Sequence, residues 1–242
     1  MPIEIKENTV YNCDCIDLMR KMAEGGGTVD AIITDPPYLI EYKSNHRQNK
    51  DHKFCKEILN DNNPELIRDY IALCYQIMKD NSALYMFCNA DKIDFFKQEI
   101  EKYFTIKNII VWVKNNWTAG DLGAQYGKQY EFIIYANKGR KIFECNRRKT
   151  DVWFESRVSG PAQIHQNEKP VALICEMIVN STKENDIVFD GFMGSFTTAV
   201  ACRRMQRRFI GAELDEEYFK KGQQRLEREL SQVSIFDIIK EE

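Results

Sequence analysis

The sequence predicts an α/β fold, a mostly parallel sheet covered by helices on both faces. Two observations carry that expectation: short apolar runs rich in β-branched residues alternate with longer segments of helical period, and helices fall between most of the strands. With 242 residues, 43% of them apolar, the chain can bury one substantial core, so a single domain spanning 1–242 with insertions is expected before two domains.

The strands are expected at Thr9–Cys13, Val29–Thr34, Ser82–Cys88, Ile106–Lys114, Tyr130–Ala136, Ile187–Phe189 and Phe209–Glu213. A helix over Asp14–Glu24 ends at Gly25-Gly26-Gly27, a stop and turn. Pro64 opens a second helix, in which Leu66, Ile67, Tyr70, Ile71 and Cys74 recur at helical spacing. Further helices are expected over Asp91–Tyr103, Lys169–Thr182, Thr197–Gln206 and Glu216–Ser231. Residues 39–63, 115–129 and 137–166 fit neither period; they are polar and longer than ordinary connections, the kind of insertion that carries substrate contacts.

No run approaches the roughly 18 apolar residues of a membrane span, and Glu4, Lys6 and Glu7 stand where a signal peptide has its apolar core, so a cytoplasmic protein is expected. The eight cysteines form no C-x-x-C pair and mostly lie in apolar runs, which reads as reduced, buried thiols. His46, His52 and Cys55 match no zinc spacing, so no metal is expected. A net charge of −3 does not announce a nucleic-acid binder, but cations cluster locally. One cluster holds Lys43, Arg47, Lys50 and Lys53, and another Lys138, Arg140, Lys141, Arg147 and Arg148.

Val29–Thr34 runs directly into Asp35-Pro36-Pro37-Tyr38, which places this tetrapeptide at the carboxyl end of a strand, where open α/β sheets hold ligands. Successive prolines stiffen the backbone and remove N–H donors, leaving carbonyls to accept from another donor, naturally an amino group. An exocyclic base amine is a poor nucleophile because its lone pair is delocalised. A group that holds both of its hydrogens makes the nitrogen more tetrahedral, and Asp35 with the Pro36 carbonyl could do so. Tyr38 offers an aromatic face for a base taken out of its stack.

A second constellation, Asp190-Gly191-Phe192-Met193-Gly194-Ser195-Phe196-Thr197, follows a short strand and opens a helix, where a ligand can approach backbone and helix N-terminus. It lacks the P-loop and dinucleotide spacings. Glu213 ends the next strand, a position from which an acidic side chain can hold ribose hydroxyls.

Together these residues resemble the permuted β arrangement of the DNA amino-methyltransferases, the adenine-N6 and cytosine-N4 family. Its D/S/N-P-P-Y/F/W element comes first, and its cofactor loop, close to D-P-F-x-G-S-G-T-T, comes near the C-terminus. The resemblance runs in order through Asn12–Cys15, Asp35–Tyr38, His165–Pro170, Asp190–Thr198 and Phe209–Glu213. It implies a Rossmann-like class I methyltransferase fold, with seven strands, one of them antiparallel, and circularly permuted motifs. It also implies S-adenosylmethionine as cofactor and double-stranded DNA as substrate in a bacterial or phage-infected cell, often beside a restriction enzyme.

By that resemblance Asp35, Pro36, Pro37 and Tyr38 form the target-amine pocket. Asp14, Cys15, Asp190, Gly191, Phe192, Gly194, Ser195, Thr197 and Glu213 would hold the cofactor. His165 and Lys169 would lie at its methionine end, with Lys169 a partner for the carboxylate. The first strand would sit beside the strand ending at Glu213 and bring Asp14 to the adenine. The sequence departs from the family pattern at Gly191, often Pro, and at Phe196, usually Gly; Phe196 would stand beside the cofactor or turn away along the helix.

The aspartate of the tetrapeptide points to adenine N6, since cytosine-N4 enzymes more often carry serine. No Pro is followed by Cys, which disfavours covalent chemistry at cytosine C5. Transfer to RNA or to a protein amide would fit Asn better than Asp35, and a silent DNA-binding homologue is the reading in which Phe196 blocks the cofactor. Lys43, Arg47, Lys50, Lys53, Trp117, Arg147 and Arg148 are the expected DNA contacts. The tail 231–242 holds Gln232-Val233-Ser234-Ile235-Phe236, which resembles the peptide that docks bacterial replication proteins into the sliding clamp. A homodimer is a further partner the chain could take.

Overall fold

In a computed structural model the described residues are 5–39, 62–117, 123–145, 148–160, 163 and 167–239, with side chains described up to 231. The strands are β1 (Thr9–Tyr11), β2 (Val29–Thr34), β3 (Met78–Cys88), β4 (Thr105–Val113), β5 (Tyr130–Lys138), β6 (Val152–Phe154), β7 (Ile187–Asp190) and β8 (Arg208–Ala212). The helices are α1 (Cys15–Glu24), α2 (Pro64–Ile77), α3 (Ile93–Glu101), α4 (Val171–Ser181), α5 (Thr197–Arg204) and α6 (Glu216–Ile239).

All described strands join one sheet in the order β1-β8-β7-β2-β3-β5-β4-β6. Only β5 opposes its neighbours, pairing antiparallel with both β3 and β4. The expected fold class is therefore observed, with eight strands in place of seven. The added strand, β6, lies in the segment read as irregular; it pairs in parallel with β4 from Val111↔Val152 to Val113↔Phe154. β3 begins at Met78, ahead of the expected Ser82. Met78 pairs with Val29, after which the register slips, with Asn81 at φ 61°, a bulge that hides the strand's start among polar residues.

Side-chain alternation sorts the core onto two faces. Ile32, Leu84, Met86, Cys88, Ile134 and Phe189 pack against α1, α2 and α3. Their neighbours Ile33, Tyr85, Phe87, Ile133 and Val188 face α4 and α5. Helix starts follow local chemistry: Asp14 caps α1 by accepting from Ile16 N at 2.7 Å, and Asn63 caps α2 ahead of Pro64. The helix after Ser231 is longer than expected, its backbone running to Ile239. After Gly222 the sequence holds neither Gly nor Pro, so no stop signal interrupts it.

Two features of this topology position the site. β1 pairs in parallel with β8, so the first strand does fill the place beside Glu213 that the permuted order leaves open. β2 pairs with β7, yet their crossovers diverge: α2 carries β2 on to β3 along one face, while α5 carries β7 on to β8 along the other. Adjacent strands whose connections leave in opposite directions open a crevice at their carboxyl ends. That switch point lies between Asp35 and the loop after Asp190.

Candidate active site

The tip of β2 carries Asp35 and Tyr38 at the rim, with Pro36 and Pro37 buried beneath them. The Tyr38 hydroxyl donates to Asp35 Oδ1 at 2.5 Å and stands 3.1 Å from Glu131 Oε2. The Lys169 ammonium, only 6% exposed, bridges the two carboxylates, 2.7 Å from Asp35 Oδ2 and 3.1 Å from Glu131 Oε2. Lys114 closes the group with an ion pair to Glu131, and Lys169 also lies 4.9 Å over the Phe87 ring. Two carboxylates thus face two ammonium groups in a half-buried cluster. Its members come from the ends of β2 and β4, the start of β5 and the approach to α4.

Burial pushes the Asp35 carboxyl above its ordinary pKa, with Lys169 pulling it down and Glu131 pushing it up. Burial would raise Glu131 too, but Lys169 and Lys114 outweigh it and hold that carboxyl at about 2. Lys169 is favoured as a cation because the attraction of both carboxylates exceeds the cost of burying it. The Tyr38 phenol is held protonated by burial and by the adjacent Asp35. At neutral pH Tyr38 and Lys169 are therefore donors and Glu131 is an acceptor.

Across the switch point, the loop after β7 leaves Phe192 and Gly194 part-exposed. Glu213, at the end of β8, accepts from Gly194 N at 2.7 Å through one oxygen and from Asp215 N at 2.8 Å through the other. A carboxylate offers about four acceptor directions, so two remain for hydroxyls. Asp14, at the end of β1, is half-buried at the same edge, and Asn12 Nδ2 donates to the Glu213 carbonyl at 2.8 Å. This donor set, an aromatic face, an exposed loop backbone and a carboxylate with spare acceptor directions, fits a nucleoside with a ribose diol.

Other expected cofactor residues build the loop instead of facing out from it. Asp190 is buried, its pKa pushed up to about 7 by desolvation, and it accepts from Phe192 N at 3.0 Å and Thr198 Oγ1 at 2.7 Å. The Ser195 and Thr197 hydroxyls are buried against Arg225, which lies 3.1 Å from each and pairs with Glu168 at 2.9 Å. Cys15 is turned into the α1–α2 core. Gly191 is buried against Tyr70. Lys169 pairs with the carboxylates of the tetrapeptide cluster, not with the free site expected for a carboxylate partner. His165 lies outside the described residues.

Phe196 resolves into the second alternative posed by the sequence. It sits in the left-handed region at φ 61°, its ring 1% exposed and 5.8 Å from Phe219 of α6. A Cβ on Gly222 would meet its Cδ1 at 2.3 Å, so the absence of a side chain in α6 makes room for the ring. The bulky residue thus fills the core between α5 and α6.

Of the expected DNA contacts, Lys43, Arg47, Lys50, Lys53 and Arg147 lie outside the described residues. Trp117 is 67% exposed just beyond β4, at the edge shared with Asp35, and so is no core residue. Arg148 is exposed but precedes β6, which runs parallel to β4, so it lies towards the opposite edge of the sheet. Arg204, Arg207 and Arg208 make contacts within the fold, to Glu229, Thr182 and Glu7 respectively. Among the described residues no trio of His, Cys, Asp or Glu could hold a metal, and no described helix is long and apolar enough to cross a membrane.

Sequence reasoning missed Lys114 and Glu131. Both sit at strand ends flanking an irregular segment, and they meet because β4 and β5 pair antiparallel with Trp112 opposite Glu131. A lone acid opening the apolar run Phe132–Ala136 was the signal available.

A family profile described as DNA methylase matches residues 29–224. The type II methyltransferase M.HinfI of Haemophilus influenzae is 26% identical over 90% of this chain and 68% of its own length. The DNA adenine methyltransferase YhdJ of Escherichia coli is 28% identical over 90% of this chain and 82% of its own. The crystal structure of the M1.HpyAVI–SAM complex superposes with a TM-score of 0.72 at 30% identity, covering 90% of this chain and 98% of that one.

Proposed function

The chain belongs to the N6/N4 family of DNA methylases, and we propose that within it this protein methylates the exocyclic N6 of adenine in DNA, in a bacterial cytoplasm. Its cofactor is S-adenosylmethionine, as in the family, and it supplies an electrophilic sulfonium methyl. The observation that carries the adenine reading is Asp35, a carboxylate at the end of β2, the strand that pairs with β7 at the switch point. The name of one relative, a DNA adenine methyltransferase, supports the same reading.

Each residue then has a task. Tyr38 and Lys169 each hold one oxygen of Asp35, which fixes the carboxylate plane and leaves a lone pair on each oxygen for the amino group. Asp35 accepts one amine hydrogen and the Pro36 carbonyl the other, drawing the nitrogen lone pair out of conjugation. As the N–CH₃ bond forms and the S–CH₃ bond breaks, positive charge on the nitrogen develops against the Asp35 carboxylate. The surplus amine proton passes to that carboxylate, whose raised pKa suits it to take one. Glu131 keeps Lys169 in place through its own ion pair and through the anchor of Lys114. Positioning supplies most of the acceleration. Phe192, Gly194, Glu213 and Asp14 hold the cofactor. Trp117 and the basic residues from Lys43 to Lys53 contact DNA, and Gln232–Phe236 docks into the sliding clamp.

Nucleoside analysis of DNA methylated by the protein tests the acceptor: N6-methyladenine is expected, and N4-methylcytosine would move the protein to the other branch of its family. Binding of a peptide spanning 231–242 to purified clamp, lost on Phe236→Ala, tests the tail; no binding by the intact peptide ends that part of the reading.

A further inference from the structure

Gly191 departs from the proline common in the family's cofactor loop, and its surroundings show what the departure accompanies. Tyr70 projects from α2 and is fully buried. Its hydroxyl accepts from Gly191 N at 3.1 Å and lies 2.9 Å from Thr34 Oγ1, the residue immediately before Asp35. Its ring packs 4.8 Å from that of Phe192. The Asp190 carboxylate, on the same loop, accepts from Phe192 N and from the Thr198 hydroxyl. A series thus links the loop to the strand tip: Gly191 N–H donates to the Tyr70 hydroxyl, which shares a hydrogen bond with the Thr34 hydroxyl. A proline at 191 would have no N–H to begin that series. It would also have no space, because a Cβ at Gly191 would stand 2.4 Å from Tyr70 Cε2.

We propose that Tyr70 is a positioning residue that fixes the cofactor loop relative to the strand tip bearing Asp35, and that Gly191 and Tyr70 are a matched pair standing in for the loop proline. The inference rests on the methyltransferase reading but not on which base is the acceptor. Tyr70 touches neither reacting group; it acts through Gly191 and Phe192 on one side and Thr34 on the other. A hydroxyl bonded to both sides sets their separation, and methyl transfer is sensitive to that separation.

The test is Tyr70→Phe, which keeps the ring and removes the hydroxyl. A buried N–H left without its acceptor corresponds to about a tenfold effect. The variant is therefore expected to bind S-adenosylhomocysteine about tenfold more weakly in calorimetry, and to lose a similar factor in kcat with both substrates saturating. Both are measured well below its unfolding temperature. Wild-type affinity and kcat in a variant that is merely less heat-stable would overturn the proposal, since a structural role alone moves only Tm. A second arm uses the match itself. Gly191→Pro is expected to impair binding, and Tyr70→Leu combined with Gly191→Pro to restore it to within a few-fold of wild type; a double variant no better than Gly191→Pro would contradict the pairing. S-adenosylhomocysteine binding needs no acceptor, so methylation of cytosine instead of adenine would leave these results standing. Failure of the wild type to bind it would overturn this proposal together with the methyltransferase reading.

Discussion

Replacing Lys169 with Met removes the cation at the centre of the carboxylate cluster while keeping most of its volume. In the native chain its ammonium is 6% exposed and lies 2.7 Å from Asp35 and 3.1 Å from Glu131. Removing one partner of a buried ion pair costs about 3–5 kcal/mol, because the other charge is left uncompensated. Glu131 keeps Lys114, and Asp35 remains 23% exposed, so the loss belongs at the lower end, about 3 kcal/mol. For a chain of this size that corresponds to a fall in Tm of about 6–12 °C at neutral pH.

The sign of its pH dependence follows from the same charges. The folded-state pKa of Asp35 is raised, so its ionised form opposes folding, and that cost is relieved as pH falls and the carboxyl takes up a proton. Without Lys169 this burden grows, so the deficit of the variant against wild type should be widest near pH 7 and shrink towards acid. Adding Asp35→Asn to the Lys169→Met chain should recover part of the lost stability. Thermal unfolding followed by circular dichroism between acid and neutral pH measures all of this. A deficit independent of pH, or none at pH 7, would refute the electrostatic reasoning.

Phe196→Gly restores the residue usual at that place in the family and relieves about 1 kcal/mol of left-handed strain, but it empties a buried aromatic site worth about 3–5 kcal/mol. A net loss of about 2–4 kcal/mol in denaturant unfolding is expected, with cofactor affinity by calorimetry unchanged. A gain in affinity would mean that the ring intrudes on the cofactor after all. Glu131→Gln removes a charged acceptor shared by Lys114, Lys169 and Tyr38, and is expected to lower kcat by roughly tenfold or more without weakening cofactor binding; steady-state kinetics with unaltered kcat would remove Glu131 from the mechanism.

Local chemistry made some parts of this molecule legible in sequence. Val29–Thr34 running into two prolines marks a strand tip on its own, and the loop after Ile187–Phe189 announces itself by its glycines between strand and helix. The placement of β1 beside β8 followed from the order of the motifs. What stayed hidden depends on contacts distant in sequence. β6 is three residues long and owes its existence to Val111, forty-one positions earlier. Glu131 and Lys114 become partners only through antiparallel pairing across an irregular segment, and Lys169 is drawn to them by charge, which no spacing displays. The side on which Phe196 would lie was open until α6 supplied Gly222 opposite its ring. Tyr70 looked like one more apolar position on α2 because its hydroxyl partners, Thr34 and Gly191, sit 36 residues before it and 121 after it.

The most direct test of the account is the turnover of Asp35→Ala in transfer of labelled methyl groups to DNA, with cofactor binding measured in parallel. A loss of at least about a hundredfold in kcat is expected, comparable to removing a key electrostatic contact, with cofactor affinity retained. Turnover near that of the wild type would contradict the claim that this carboxylate grips the base amine as its nitrogen takes the methyl group.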